Sequence, residues 1–284
     1  MKIAISGAGG FVGQKASEYF TSKGYKVTPI HRSWFADDTQ VLAEKISGSD
    51  VIIHLAGAPI LKRWTKSHRK AIYDSRIQTT QKITQAMALL KAPPHTLICA
   101  SAVGIYPDTG VHDETSNEIA DDFLGEVCTD WELAAARVPP PCRSISFRFG
   151  VILGKDGGAL SQMLPPFRLG LGGRIGSGKQ MMSWIHMDDV IGAFQFALDN
   201  PKLQEPVNIT APHPVSNREF TKTLAKVLKR PAVIPVPVCS LKLLFGKGAS
   251  VLTGGQRAIP GKLLDSGYQF RYPELGSALW DLLK

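Results

Sequence analysis

The sequence predicts an α/β fold, a doubly wound parallel sheet followed by a smaller C-terminal α/β lobe. Three observations carry that reading. Short apolar runs of strand length alternate with stretches of helical periodicity from residue 2 to residue 150. A glycine-rich turn, GAGGFVG at 7–13, links the first strand to the first helix. Such alternation places helices in right-handed crossovers between parallel strands.

In chain order, KIAIS at 2–6 reads as a buried strand, and 11–23 as a helix that stops at Gly24. KVTPIH at 26–31 reads as a second strand, weakened in its interior by Pro29. A weak helix at 39–47 leads to a third strand, DVIIHL at 50–55. A long helix over 66–91 ends before Pro93-Pro94. TLICAS at 96–101 is a fourth strand, 121–137 a helix, and RSISFRFG at 143–150 a fifth strand. Beyond 150 the alternation loosens. Residues 154–180 are glycine-rich, with LGLGGRIGSGK at 169–179, followed by a helix near 187–199 and a short strand, PVNIT. A basic helix at 216–229, a Pro-rich run and a tail of short helices complete the chain. The expected division is 1–150 as a nucleotide-binding unit and 151–284 as a substrate-side lobe interleaved with it.

Composition bounds the rest. The chain has 284 residues, 44% hydrophobic and 20% charged, which excludes disorder, collagen-like repeats and a disulfide-knotted miniprotein. No window approaches about 18 consecutive apolar residues, so no membrane span is expected. The opening apolar run breaks at once into glycines, unlike a signal peptide. Cys99, Cys128, Cys142 and Cys239 lie far apart with no CxxC, so no metal site is expected, and reduced thiols fit a cytoplasmic protein. The net charge of +9 points to anionic partners or a solvated surface. It is uneven: residues 202–284 carry 12 Lys/Arg against 5 Asp/Glu, whereas 108–132 carries nine carboxylates and no Lys or Arg.

The glycine loop has a mechanical reading. Gly7 permits the tight turn, Gly10 lets the backbone approach a pyrophosphate, and Gly13 lets helix and strand pack closely. The helix N-terminus then offers free N–H groups and a positive dipole end. Gly7, Gly9, Gly10, Phe11, Val12 and Gly13 are therefore cofactor-binding candidates for a Rossmann-type dinucleotide site. The end of the second strand selects the dinucleotide. It carries His31-Arg32-Ser33 and no acid before Asp37. A carboxylate would bind a ribose 2′-hydroxyl, whereas a guanidinium binds a 2′-phosphate. Arg32 thus selects NADP(H), unless it is merely exposed.

These runs, with HLAG at 54–57 and SAVGIYP at 101–107, resemble the extended short-chain dehydrogenase/reductases. SRIQTT (75–80), DFLGEVCTDWE (122–132), RFGVILGKDGG (148–158), LPPFRLGLGGRIGSGKQ (164–180), SWIHMDD (183–189) and GGQRAIPGKLLDSGYQFRYPEL (254–275) resemble an atypical epimerase-like subgroup, often named "epimerase family protein" or nucleoside-diphosphate-sugar epimerase. The resemblance implies an NAD(P) site that also draws on Leu55, Ala56, Gly57, Arg76, Ser101 and Gly154. It places Arg63, Trp64, Tyr106, Lys179, Gln180, Trp184 and His186 on the substrate side, with the helix after His186 capped by Asp188 or Asp189.

One departure matters. Ordinary members use Tyr-x-x-x-Lys and an upstream hydroxyl, so that a phenol trades a proton while hydride moves. Alignment here places Ala102 at the hydroxyl position, Cys128 at the tyrosine and Glu132 at the lysine. Ser101, next to Ala102, is turned away by strand alternation. The Tyr19 to Lys23 match lies at the wrong end of the first helix. Cys128, Glu132 and Ser101 are the catalytic candidates. Cys128 is otherwise a small buried residue, and Glu132 otherwise the partner of a buried arginine. Two functions follow: an NADP(H)-dependent oxidoreductase or epimerase-like enzyme acting on a small substrate, phosphorylated or nucleotide-linked, or a catalytically silent cofactor sensor. The basic C-terminal lobe lacks an interleaved stacking set, so no nucleic acid partner is expected. Extended members often pair through the two helices at 66–91 and 121–137, so a monomer or homodimer is expected.

Overall fold

A computed structural model describes residues 1–284. The strands are β1 (Lys2–Ser6), β2 (Lys26–Ile30), β3 (Val51–His54), β4 (Thr96–Ala102), β5 (Arg143–Phe149), β6 (Val151–Gly154), β7 (Met181–Met182), β8 (Trp184–His186), β9 (Glu205–Ile209) and β10 (Val215–Ser216). The helices are α1 (Phe11–Ser22), α2 (Thr39–Ile46), α3 (Lys66–Ala88), α4 (Phe123–Ala135), α5 (Gly158–Arg168), α6 (Met187–Asp199), α7 (Asn217–Leu228), α8 (Val238–Phe245), α9 (Ser250–Thr253), α10 (Gly261–Asp265) and α11 (Leu275–Leu283).

Six strands form one parallel sheet in the order β2-β1-β3-β4-β5-β9. Period-two alternation divides their side chains between two cores. Ile3, Ile5, Ile53 and Phe147 face Phe20 of α1 and Val190 and Phe194 of α6. Ala4, Ile52 and Leu97 face Leu42 of α2, Ile77 and Ile83 of α3, and Trp131 of α4. Helices thus cover both faces, which explains why the strands read as continuous apolar runs. Pro29 sits in β2 opposite Ile5, and the strand tolerates it because β2 is the sheet edge. The sixth strand, β9, pairs with β5 (Phe147 opposite Val207) although some 55 residues separate them in sequence.

The glycine-rich stretch 154–180 carries an element that the sequence left unassigned. That stretch holds α5, whose Leu160, Leu164 and Phe167 are buried against Trp184, Phe220 of α7 and Leu279 of α11. Pro165 and Pro166 inside the helix mask its periodicity in sequence. The short pairs β6-β8 and β7-β10 brace this lobe. No helix is long and apolar enough to cross a membrane.

Candidate functional site

The carboxyl ends of β1, β3, β4 and β5 lie along one edge of the sheet, where a parallel α/β fold binds its ligands. At the first of them Gly7 turns with φ +72°, and a Cβ there would stand 2.9 Å from the Leu55 carbonyl carbon. A Cβ on Gly13 would collide with the Gly7 carbonyl oxygen, so α1 reaches the strand only because that residue is glycine. The Gly10 N–H donates to the Gly7 carbonyl at 2.9 Å and closes the loop. Gly9 differs: a Cβ there meets nothing within 4 Å, and the residue is exposed. α1 starts at Gly10 with no side-chain cap and no acid in its first turn. Its first N–H groups and positive dipole end are free for an anion. This cradle fits the phosphates of a dinucleotide.

Around the cradle, the Phe11 ring packs on the turn after β6. Added Cβ atoms on Gly154, Gly157 and Gly158 would come within 2.5–2.6 Å of the ring. Val12 is half-buried against the α1 core. Arg32 opens a short 3-10 helix directly after β2, is exposed, and forms no ion pair. The β3 end carries Leu55, whose N–H bonds the Ser6 carbonyl at 3.1 Å, then Ala56 and exposed Gly57. The Arg76 guanidinium lies against Gly57, donates to the carbonyls of Ala58 and Ile72 at 3.1 Å, and sits over the Trp131 ring. Burial lowers its pKa to about 10, still charged at neutral pH. Arg76 therefore braces the loop after β3.

The structure places the catalytic candidates in buried, hydrogen-bonded surroundings. Cys128 is buried, and burial together with the Glu132 charge pushes its thiol up to about 12. It supplies no thiolate at neutral pH. Glu132 is committed to Arg148 by two bonds, from Nε at 2.8 Å and from Nη2 at 2.7 Å. The Ser101 hydroxyl donates to the same carboxylate at 2.6 Å. Arg148 Nη1 donates to the Tyr106 hydroxyl at 2.7 Å, which in turn donates to Asn208 Oδ1 at 3.0 Å. Burial alone lowers the Arg148 pKa, but Glu132 outweighs it and the result is raised. Ser101, Glu132 and Tyr106 are thus members of a satisfied buried network, not free acids or bases.

Other substrate-side expectations separate. Arg63 Nη1 donates to the Leu243 carbonyl at 2.9 Å, and Trp64 donates to Ile60 at 2.9 Å, so both fasten the loop before α3 to its surroundings. Lys179 is exposed; Gln180 Nε2 donates to Ile175 and Leu252 carbonyls at 3.3 and 3.4 Å. Trp184 is fully buried and donates to His213 at 3.0 Å, a packing role. His186, not Asp188 or Asp189, caps α6: its Nδ1 accepts from the Asp188 N–H at 3.0 Å. Asp189 instead accepts from the Arg271 and Tyr272 N–H groups at 2.7 and 3.0 Å.

Two residues escaped the sequence reading. His54 ends β3 fully buried, bonded to the Ser6 hydroxyl and, at 3.1 Å, to Thr79 Oγ1. Burial and then the Arg76 charge lower its pKa to about 3, so it is neutral. Arg148 is the other; a guanidinium inside the apolar strand RSISFRF was the available signal.

Comparisons with known proteins agree with this geometry. A model described as "NAD dependent epimerase/dehydratase family" matches residues 3–210, and a "Domain of unknown function (DUF1731)" matches 236–282. The chain is 38% identical to "Epimerase family protein SDR39U1 homolog, chloroplastic" of Arabidopsis thaliana, over 98% of this chain and 86% of that protein. It is 36% identical to the Homo sapiens "Epimerase family protein SDR39U1" over the full length of both. A crystal structure of the human protein (isoform 2) with NADPH superposes with a TM-score of 0.92, at 36% identity and 99% of each chain. The UDP-glucuronic acid 4-epimerase of Bacillus cereus shares the fold, with a TM-score of 0.80 at 18% identity over 99% of this chain and 98% of that one. This chain belongs to the NAD dependent epimerase/dehydratase family.

Proposed function

We propose that the protein binds NADP(H) and acts as an oxidoreductase or epimerase-like enzyme on a small, nucleotide-linked substrate, without a Ser/Tyr/Lys relay. The observation that carries this reading is the uncapped glycine start of α1 beside an exposed, unpaired Arg32 at the end of β2. The NADPH in the human relative's structure supports it. The Gly7–Gly13 loop would hold the pyrophosphate, Arg32 the 2′-phosphate, and the braced Leu55–Gly57 segment would border the same edge. When bound, the cofactor supplies hydride chemistry at its nicotinamide ring. The thiol of Cys128 holds its proton, the Glu132 carboxylate is taken up by its two bonds from Arg148, and protons exchange with water or with the substrate itself.

The test is calorimetry with NADPH and NADH on the wild type and Arg32→Ala. Removing charge-assisted bonds worth about 1.5–3 kcal/mol predicts about 10- to 100-fold weaker NADPH binding with NADH binding unchanged. An unchanged NADPH to NADH ratio overturns the assignment.

A second reading, a cofactor sensor without turnover, is favoured by the commitment of Ser101 and Glu132 to Arg148. NADPH incubated with carbonyl compounds and sugar nucleotides separates the two. Product mass and loss of reduced-cofactor absorbance support the enzyme, and binding without either supports the sensor.

A further inference from the structure

We infer a second anion site, outside the dinucleotide cradle, that takes a phosphoryl or diphosphate group of a phosphorylated small molecule. It is a cavity of about 320 Å³ on the second lobe, lined by Arg174, Arg218, Thr221, Lys222 and Ala232. None of these residues belongs to the cradle.

Three features make it more than a basic surface. First, the turn at 174–178 is built to bring two arginines together. Gly176 and Gly178 both have positive φ, and a Cβ on Gly178 would stand 3.0–3.1 Å from the side chains of both Arg174 and Arg218. The two stems therefore converge tightly on Gly178, whose φ of +71° favours glycine. Carbonyl oxygens of the same turn tether the guanidinium groups: Arg174 Nε donates to Gly176 at 3.3 Å, and Arg218 Nη2 to Ser177 at 3.2 Å. Lys222 stands one helical turn beyond Arg218 on α7, on the same face.

Second, the charge is uncompensated. No carboxylate lines the cavity, and none of the three cations forms an ion pair. Holding like charges in one notch costs free energy that a bound anion offsets. Third, Thr221 faces the cavity although it is only 4% exposed, and its hydroxyl makes no hydrogen bond within the protein. Thr223 on the same helix bonds back to the Glu219 carbonyl at 2.9 Å, the usual outlet for a helical hydroxyl. A phosphoryl oxygen between the cations would accept from the Thr221 hydroxyl and from two planar guanidinium forks.

The experiment titrates the full-length protein with inorganic pyrophosphate by calorimetry, with and without excess NADPH. The site predicts saturable binding that persists under NADPH. It also predicts that an Arg218→Gln/Lys222→Gln variant loses about tenfold or more in pyrophosphate affinity while its NADPH affinity and melting temperature stay unchanged. Thr221→Val, of similar shape, weakens pyrophosphate alone. Two results overturn the site: pyrophosphate heats equal in wild type and double variant, or the absence of any saturable binding.

Discussion

Arg148 and Glu132 show how much one pair of side chains decides. With side-chain exposures of 9% and 14%, they are nearly out of solvent, and each is the other's main partner. Removing one leaves the other charged and unpaired, so Arg148→Met should cost about 3–5 kcal/mol in urea unfolding, and the double change Arg148→Met/Glu132→Gln should recover part of it. His54 makes a prediction about pH. The unfolded chain takes up a proton near 6.5, whereas the folded chain resists protonation of His54 down to about 3. Between these values the unfolded state binds more protons, so stability falls as pH drops, by up to about 1.4 kcal/mol per unit from this group. Urea midpoints of wild type and His54→Asn from pH 7 to pH 4 should show the flatter profile in the variant. The sequence revealed Gly7, Gly10 and Gly13 because each glycine has a mechanical reason visible in spacing. It offered a buried arginine as one reading of Glu132 but did not identify Arg148, because that partner arrives from a strand 16 residues on and only the sheet brings them together.

Among the elements, β1 to β5 and α1 to α4 were legible because one physical signal, apolar strand against periodic helix, governs each. α5 was not, since its glycine flanks and paired prolines hide an amphipathic turn that tertiary packing enforces. The segment 268–272 was equally opaque, although it governs the start of α6. Tyr268 donates to the Asp189 carbonyl at 2.9 Å, and the Asp189 carboxylate receives the next two bonds. A Cβ on Gly192 would collide with the Tyr268 hydroxyl. Asp189→Ala should therefore leave two backbone N–H groups without their acceptor, at about 1–3 kcal/mol each. Hydrogen exchange should speed up at Arg271 and Tyr272 before it does in β1 or β4.

At the scale of the whole molecule, ligand and fold are coupled. Cofactor at 100 times its dissociation constant should add about 2.7 kcal/mol to unfolding, read as a higher urea midpoint with NADPH than with NADH. The tail is coupled as well. The His112 N–H bonds the Arg257 carbonyl at 2.9 Å, and Asn208 Nδ2 bonds the Ile259 carbonyl at 2.9 Å. The late arrival of β9 has a consequence for synthesis. A ribosome that has delivered 200 residues holds a nascent sheet whose β5 flank is bare, a template for stray strands. Closure waits for Glu205–Ile209 to clear the exit tunnel, so premature termination before that point yields an adhesive fragment, not a smaller working protein.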